Sequence, residues 1–262
     1  MAGIEEIHVQ AVQWIKEAGQ RIIQSFETIL DIETKSNMND LVTNMDKDVE
    51  HFFIERIAER FPDHKVLGEE GSGHDLDELN GIVWIIDPID GTMNFVHQQR
   101  NFAISIGIVE NGVGRIGLIY DVVHDELYHC IKGEGAFLNE KRIEPMREAT
   151  LEESIVGLNA IWLTDNKKID KNITAKLVRE VRGSRSYGSA ALELIYVATG
   201  RLDAYISMRL APWDFAGGTI IIEELGGKVT DLQGNPVHYL KKSSLIAAAP
   251  KLHQTIIERY LS

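Results

Sequence analysis

A run of five apolar residues, Ile82-Val83-Trp84-Ile85-Ile86, leads straight into Asp87-Pro88-Ile89-Asp90-Gly91-Thr92. An uninterrupted apolar run of this length reads as a strand buried on both faces, as in a sheet covered by helices. Pro88 has no amide proton for a ladder, so pairing is expected to stop there and the carboxylates to emerge at the strand's end. Two charges leaving a buried strand are costly unless compensated, and a hard divalent cation compensates them. Gly91 permits a close backbone approach, and Gly91-Thr92 reads as the opening of a helix whose free N–H groups face an anion. The competing reading is an ordinary turn, with Asp90 as a helix N-cap and Asp87 solvated.

The rest of the chain bounds what such a site can serve. A net charge of -13 argues against nucleic-acid or anionic-membrane partners, since both need basic patches. A phosphorylated substrate would have to be drawn to an acidic protein, which bound cations would allow. Cys130 is the only cysteine, so neither an internal disulfide nor a cysteine zinc cluster can form; it reads as a small core residue in a strand. The nine histidines fall into no metal-binding spacing. The N-terminus, Met1-Ala2-Gly3-Ile4-Glu5-Glu6, has neither the basic region nor the apolar stretch of a signal peptide. No window approaches the ~18 apolar residues of a membrane span. A cytoplasmic protein is expected. At 262 residues the chain can bury a full core in one large domain or two closely packed ones.

Apolar spacing by three and four through Ile4, Ile7, Ala11, Ile15, Ala18, Ile22, Phe26 and Ile29 predicts a helix over 4–30. A second, over 46–60, uses Val49, Phe53, Ile54 and Ile57. Strands are expected at 82–86, 102–109, 115–120, 126–131 and 136–138, separated by Asn-Gly and Gly-rich turns. After Pro145 the pattern alternates. Strands at 154–158, 181–186, 203–207, 228–231 and 244–248 interleave with helices at 167–180, 188–199, 214–225 and 250–260. The fold class is therefore α+β: a layered α-β-α-β-α sandwich with a mostly antiparallel first sheet and a second, smaller sheet. A soft seam near 145–150 suggests an N-terminal lobe, 1–148, carrying most metal ligands, and a C-terminal lobe, 149–262, carrying Asp214 and a specificity segment.

Other acids stand at turns far apart in sequence: Glu69 and Glu70 in Gly68-Glu69-Glu70-Gly71, Asp46 at the start of the second helix, and Asp214 at an expected N-cap. After Asp214, Ala216-Gly217-Gly218 would let another backbone or a ligand come close. Each alone has a plain reading as a solvated loop or a cap. Taken together, Gly68-Glu69-Glu70, Trp84 through Phe95 and Trp213-Asp214-Phe215-Ala216-Gly217-Gly218 resemble the inositol monophosphatase family, whose members are metal-dependent, lithium-sensitive phosphomonoesterases. The resemblance extends over Asp40-Leu41-Val42-Thr43 to Asp46 and over Gly226-Gly227-Lys228-Val229-Thr230-Asp231.

The resemblance implies that Glu69, Asp87 and the Ile89 carbonyl bind one Mg²⁺, with Glu70 as the alternative to Glu69. Asp87, Asp90 and Asp214 would bind a second, and a third would be held weakly through Glu69 and water. Thr92 with Asp46 would orient the attacking water, and the amides of Gly91 and Thr92 would hold the phosphate. It also implies a homodimer. Charge arithmetic agrees with the metal count. Carboxylates ~5 Å apart repel by about 3 kcal/mol at an effective dielectric near 20, so four gathered together need cations. Two divalent ions only neutralise them, and a third would restore attraction for a phosphate dianion. Oxygen-only ligands select Mg²⁺, with Mn²⁺ able to substitute, over Zn²⁺.

The expected reaction is hydrolysis of a small phosphorylated metabolite, with inositol 1-phosphate leading. In the family, a Gly-Ser/Thr-Ala segment and an acid shortly before Trp-Asp contact the inositol hydroxyls. Gly188-Ser189-Ala190 supplies the first, although a plain helix start reads equally well. Ser207 stands where inositol-selective members carry Glu, with Arg209 two residues on. That exchange favours a second anionic group and keeps fructose 1,6-bisphosphate and the 2′-phosphate of NADP open, including dual specificity. Arg182 and Arg185 could form an anion-binding rim, though a solvated face is the simpler reading. Met93 departs from the family's usual Thr or Ser. A non-catalytic relative would be expected to have lost a ligand or the Thr92–Asp46 pair, and this chain keeps both.

Overall fold

The computed structural model describes residues 3–27, 32–34, 41–74 and 76–261. Ile29, assigned above to the first helix, and Asp40 lie outside the described residues. In chain order the elements begin with α1 (Ile4–Ser25), β1 (Ile32–Thr34), β2 (Leu41–Thr43), α2 (Asn44–Arg60), β3 (Lys65–Gly68), β4 (Ile82–Asp90) and α3 (Thr92–Gln98). The antiparallel run β5 (Ala103–Glu110), β6 (Val113–Asp121), β7 (Glu126–Ile131), β8 (Gly135–Leu138) and β9 (Lys141–Arg142) follows. The alternating part comprises β10 (Ile155–Leu158), α4 (Lys171–Glu180), β11 (Gly183–Arg185), α5 (Ala190–Ala198), β12 (Ala204–Leu210), α6 (Pro212–Glu224), β13 (Lys228–Thr230), β14 (Ser243–Ala248) and α7 (Pro250–Ile256).

Strands β3 to β9 form a seven-stranded sheet in sequential order, with only β3 and β4 parallel. A five-stranded mixed sheet has the order β11-β10-β12-β14-β13. The layers follow from the burial pattern. Ile7, Trp14, Ile15, Ile22, Phe53 and Ile57 of α1 and α2 pack on Trp84, Ile86, Ile104 and Ile106 of the large sheet. The opposite face offers Ala103, Ile119, Tyr128 and Cys130 to α5 and α6, which also meet Tyr205, Leu245 and Ala247 of the small sheet. A third cluster packs α4 and α7 on the far side of the small sheet, through Leu177, Val156, Ile206, Ile246 and Leu252. This is the α-β-α-β-α order expected. Both faces of both sheets are covered, which is why β4 reads as an unbroken apolar run.

α6 lies unusually close to the large sheet. A Cβ on Gly107 would stand 2.5 Å from the Ala216 Cβ, and one on Gly117 would stand 2.5 Å from the Gly217 carbonyl oxygen. The small residues after Asp214 therefore admit neighbouring strands rather than a ligand. That intimacy brings the N-terminus of α6 beside β5, where the Ser105 hydroxyl donates to the Trp213 carbonyl at 3.1 Å.

One expectation fails in an informative way. β4 does not stop at Pro88; its ladder continues to Asp90 through a register shift. Asp87 pairs with Ser105 and Asp90 with Ala103, so three steps on β4 match two on β5. The additional residue is a β-bulge that absorbs the proline and its missing donor. In a regular strand, residues three apart point to opposite faces. With the bulge, both acids sit opposite partners two apart on β5, and both reach the α6 side.

Candidate metal centre

One carboxylate oxygen from each of Asp87, Asp90 and Asp214 lies within 4.8 Å of the others. Asp87 and Asp90 are buried and Asp214 is half-buried. Asp214 is the third residue of α6 rather than its N-cap, which is Ala211. Pro212 opens the helix, and the Asp214 carboxylate turns back to accept the Ala211 N–H at 2.8 Å. Glu69 follows β3, its N–H donating to Ile86 at 3.2 Å, so the parallel pairing sets it beside Asp87. Glu70, the alternative ligand, directs its N–H to Glu50 at 2.7 Å.

Crowding acids in a buried site disfavours their charged forms. Burial, then the charges of Glu69, Asp90 and Asp214, raise the Asp87 carboxyl well above the ordinary carboxylate range. Asp214 is raised in the same way by burial and by Asp90. Burial pushes Asp90 up to about 6, against the opposing effect of hydrogen bonds from Ser189, Ala191 and Ala190. The Ser189 hydroxyl and the Ala191 N–H, the latter at 2.7 Å, both donate to Asp90 Oδ2. Ser189 is thus the N-cap of α5 and an anchor for Asp90, beyond a plain helix start. All-oxygen donors that are destabilised by one another match a hard divalent cation, which would remove both penalties at once.

Gly91 caps α3 with φ 97°, a left-handed conformation suited to glycine, and a Cβ there would crowd the Asn101 and Gly188 carbonyls. Thr92, the first residue of α3, donates its hydroxyl toward Asp46 Oδ1 and toward the Ile89 carbonyl, each at 3.1 Å. Asp46 is fully buried in the first turn of α2, where the Thr43 N–H and hydroxyl bind its other oxygen at 2.8 and 2.6 Å. A capping box therefore immobilises the acid that faces Thr92.

A cavity of about 250 Å³ adjoins the carboxylates, with Asp90, Gly188, Ser189, Ala190, Ser207, Arg209 and Asp214 in its wall. The Ser207 hydroxyl donates to the Arg209 carbonyl at 3.2 Å, and the Arg209 side chain is exposed. Arg182 and Arg185 are exposed and outside this wall. Met93 is 37% exposed and bears no part of the acid cluster.

Sequence reasoning missed part of the wall. Asn159 and Trp162, at a 3₁₀ turn spanning Ala160–Leu163, give no chemical signal in sequence. Glu193 does give one, as the lone charge in the otherwise apolar, wholly buried α5. Its Oε1 accepts the N–H groups of Tyr187 and Gly188 at 2.7 and 3.3 Å, and burial pushes its carboxyl up to about 7.

The profile described as Inositol monophosphatase family matches residues 4–261. The inositol-1-monophosphatase of Bacillus subtilis (strain 168) is 60% identical over 261 residues, covering 100% of this chain and 98% of that protein. A crystal structure of inositol monophosphate bound SaIMPase-II superimposes with a TM-score of 0.88 at 45% identity, covering 97% of this chain and 93% of the other. A structure of 2′AMP bound SaIMPase-II gives 0.90 at 47%, covering 97% and 94%.

Proposed function

We propose that this chain, which belongs to the inositol monophosphatase family, is a phosphoric monoester hydrolase that releases phosphate from inositol 1-phosphate. The observation that carries the reading is the convergence of Asp87, Asp90 and Asp214 at the end of a buried strand and the start of α6. Glu69, Asp87 and the Ile89 carbonyl would hold one Mg²⁺, and Asp87, Asp90 and Asp214 a second. A third, weaker ion would be held through Glu69. When bound, the ions supply Lewis-acid charge that lowers the pKa of a water and neutralises charge on the phosphoryl oxygens.

The chain's own groups supply orientation. Because the Thr92 hydroxyl donates to Asp46 or Ile89, its lone pairs are left to accept from the attacking water. Asp46 receives hydrogen bonds at both oxygens, which holds the threonine in one rotamer. The N–H groups of Gly91 and Thr92 are suited to the phosphate oxygens, and Gly91 allows that approach. Gly188, Ser189 and Ala190, with Ser207 and Arg209, would contact the rest of the substrate. The net charge of -13 argues against nucleic-acid partners, and no described helix is long and apolar enough to cross a membrane. Cytoplasmic action as a homodimer fits the family reading.

A second reading, hydrolysis of a nucleotide 2′-phosphate such as that of NADP, is favoured by one feature. The cavity wall has Ser207 and an exposed Arg209 where a carboxylate would otherwise receive polyol hydroxyls. Phosphate release from inositol 1-phosphate and from NADP, at fixed Mg²⁺, tests both readings. EDTA and Asp90→Asn should each abolish turnover; activity that survives both rules out the metal-dependent mechanism.

A further inference from the structure

α2 carries a second buried acid one turn beyond Asp46. Glu50 is only 3% exposed, and it faces the loop that bears Glu69. Its Oε2 accepts the Glu70 N–H at 2.7 Å, and its Oε1 accepts the Ser72 hydroxyl at 2.6 Å and the Ser72 N–H at 3.3 Å. On the other side of Glu69 the approach is just as close: a Cβ on Gly68 would stand 2.3 Å from Glu50 Oε2. One acid thus binds the chain after Glu69 by three hydrogen bonds and packs closely against it before. The loop closes on itself through the Gly68 N–H to the Ser72 carbonyl at 2.8 Å. Its far end is tied to the α6 side, where the His74 ring meets the Gly68 carbonyl at 2.8 Å and stacks on Trp213, centroids 5.2 Å apart.

We propose that Glu50 is a positioning residue for the metal centre. It fixes the 68–72 loop so that Glu69 faces Asp87, and in this way it sets divalent-cation affinity without touching the ion. The proposal rests on the reading of Glu69 as a ligand. A single helix then serves both halves of the chemistry, with Asp46 orienting water and Glu50 holding the ligand loop. Hydrogen-bonded groups behind a metal ligand are worth roughly 10- to 100-fold in metal affinity. Glu50→Gln keeps the side chain's size but turns an NH₂ donor toward backbone or hydroxyl donors, so the grip should fail locally.

The test is calorimetric titration of Mg²⁺ into the full chain, with circular dichroism to verify folding. Glu50→Gln should weaken Mg²⁺ by about 10- to 100-fold while kcat at saturating Mg²⁺ stays within about threefold of wild type. Ser72→Ala, which leaves the charge in place, should weaken Mg²⁺ by a smaller factor, roughly threefold. Asp48→Asn removes a charge from an exposed position on the same helix and should change nothing. Wild-type affinity in Glu50→Gln, with Glu69→Gln weakened, overturns the proposal and leaves the ligand reading standing. Wild-type affinity in Glu69→Gln sinks the ligand reading itself. If Glu50→Gln does not fold, Ser72→Ala decides: unaltered affinity there overturns the positioning role.

Discussion

The Thr92 hydroxyl reaches Asp46 across 46 positions of sequence, at 3.1 Å, and joins the first turn of α3 to the first turn of α2. Together with the Ile89 carbonyl at the same distance, the contact gives the threonine's proton an acceptor and leaves its lone pairs to serve a water. Asp46→Asn should lower kcat by about 10²- to 10³-fold, in the range lost with a proton-handling group, and leave Mg²⁺ affinity within about twofold. Thr92→Ser, which keeps the hydroxyl, should retain far more activity than Thr92→Ala. Steady-state kinetics with matched Mg²⁺ titrations check this. A parallel loss of Mg²⁺ affinity in Asp46→Asn would assign the pair to metal binding instead.

The crowded carboxylates make the metal-free protein sensitive to pH in an unusual direction. Burial raises Asp90 from 3.8 to about 6, so its protonated form is favoured on folding. Its stabilising contribution is complete below 3.8 and is lost as pH rises through about 6, a change of about 3 kcal/mol. Asp87 and Asp214, also raised well above the ordinary carboxylate range, add to the decline. His8 and His253, held neutral by burial, push stability the other way over the same interval. The fall is therefore read in EDTA between pH 4 and 8 as wild-type stability minus that of Asp90→Asn. Saturating Mg²⁺ should cancel it, because the ion removes the penalty for charging the site. A difference between wild type and Asp90→Asn that rises over this interval would contradict the site's electrostatics.

Trp213 offers a direct optical report of metal binding. It precedes Asp214 and stacks on His74, with ring planes 6° apart. Mg²⁺ should change the tryptophan emission, Trp213→Phe should remove that change, and so should Asp214→Ala. An identical titration in Asp214→Ala would separate the signal from the carboxylates.

Selectivity should turn on Ser207. Replacing it with Glu restores a carboxylate acceptor to the cavity wall beside Ser189 and Arg209. The ratio of kcat/KM for inositol 1-phosphate over NADP should rise by roughly tenfold or more, since a buried acceptor discriminates by what it would leave unpaired. An unmoved ratio would show that specificity is set elsewhere in the wall, for example at Asn159 or Trp162.

Much of this fold was written in periodicity. The β4 run, the amphipathic spacing of α1 and the glycine-marked hairpins gave the layers, because each pattern answers to the burial of one face or two. The acids were legible for a related reason: Asp87, Asp90 and Asp214 occur where an apolar run ends or a helix begins. What stayed hidden depends on contacts between distant segments. Nothing near Glu50 announces the Glu69 loop, and nothing near Ser189 announces Asp90, since those bonds exist only once α2 and α5 have docked. The course of β4 past Pro88 was misread because a ladder can step over a residue that cannot donate.

That single surplus residue carries a consequence for how sequences of this kind can change. Loops tolerate gains and losses of length, but between Asp87 and Asp90 the count decides odd from even. A substitution that straightened the bulge into regular pairing would keep the length and leave the ladder intact, yet send one of the two acids toward α1 and α2. The protein would still look like its relatives in every layer, and it would have nowhere to seat an ion.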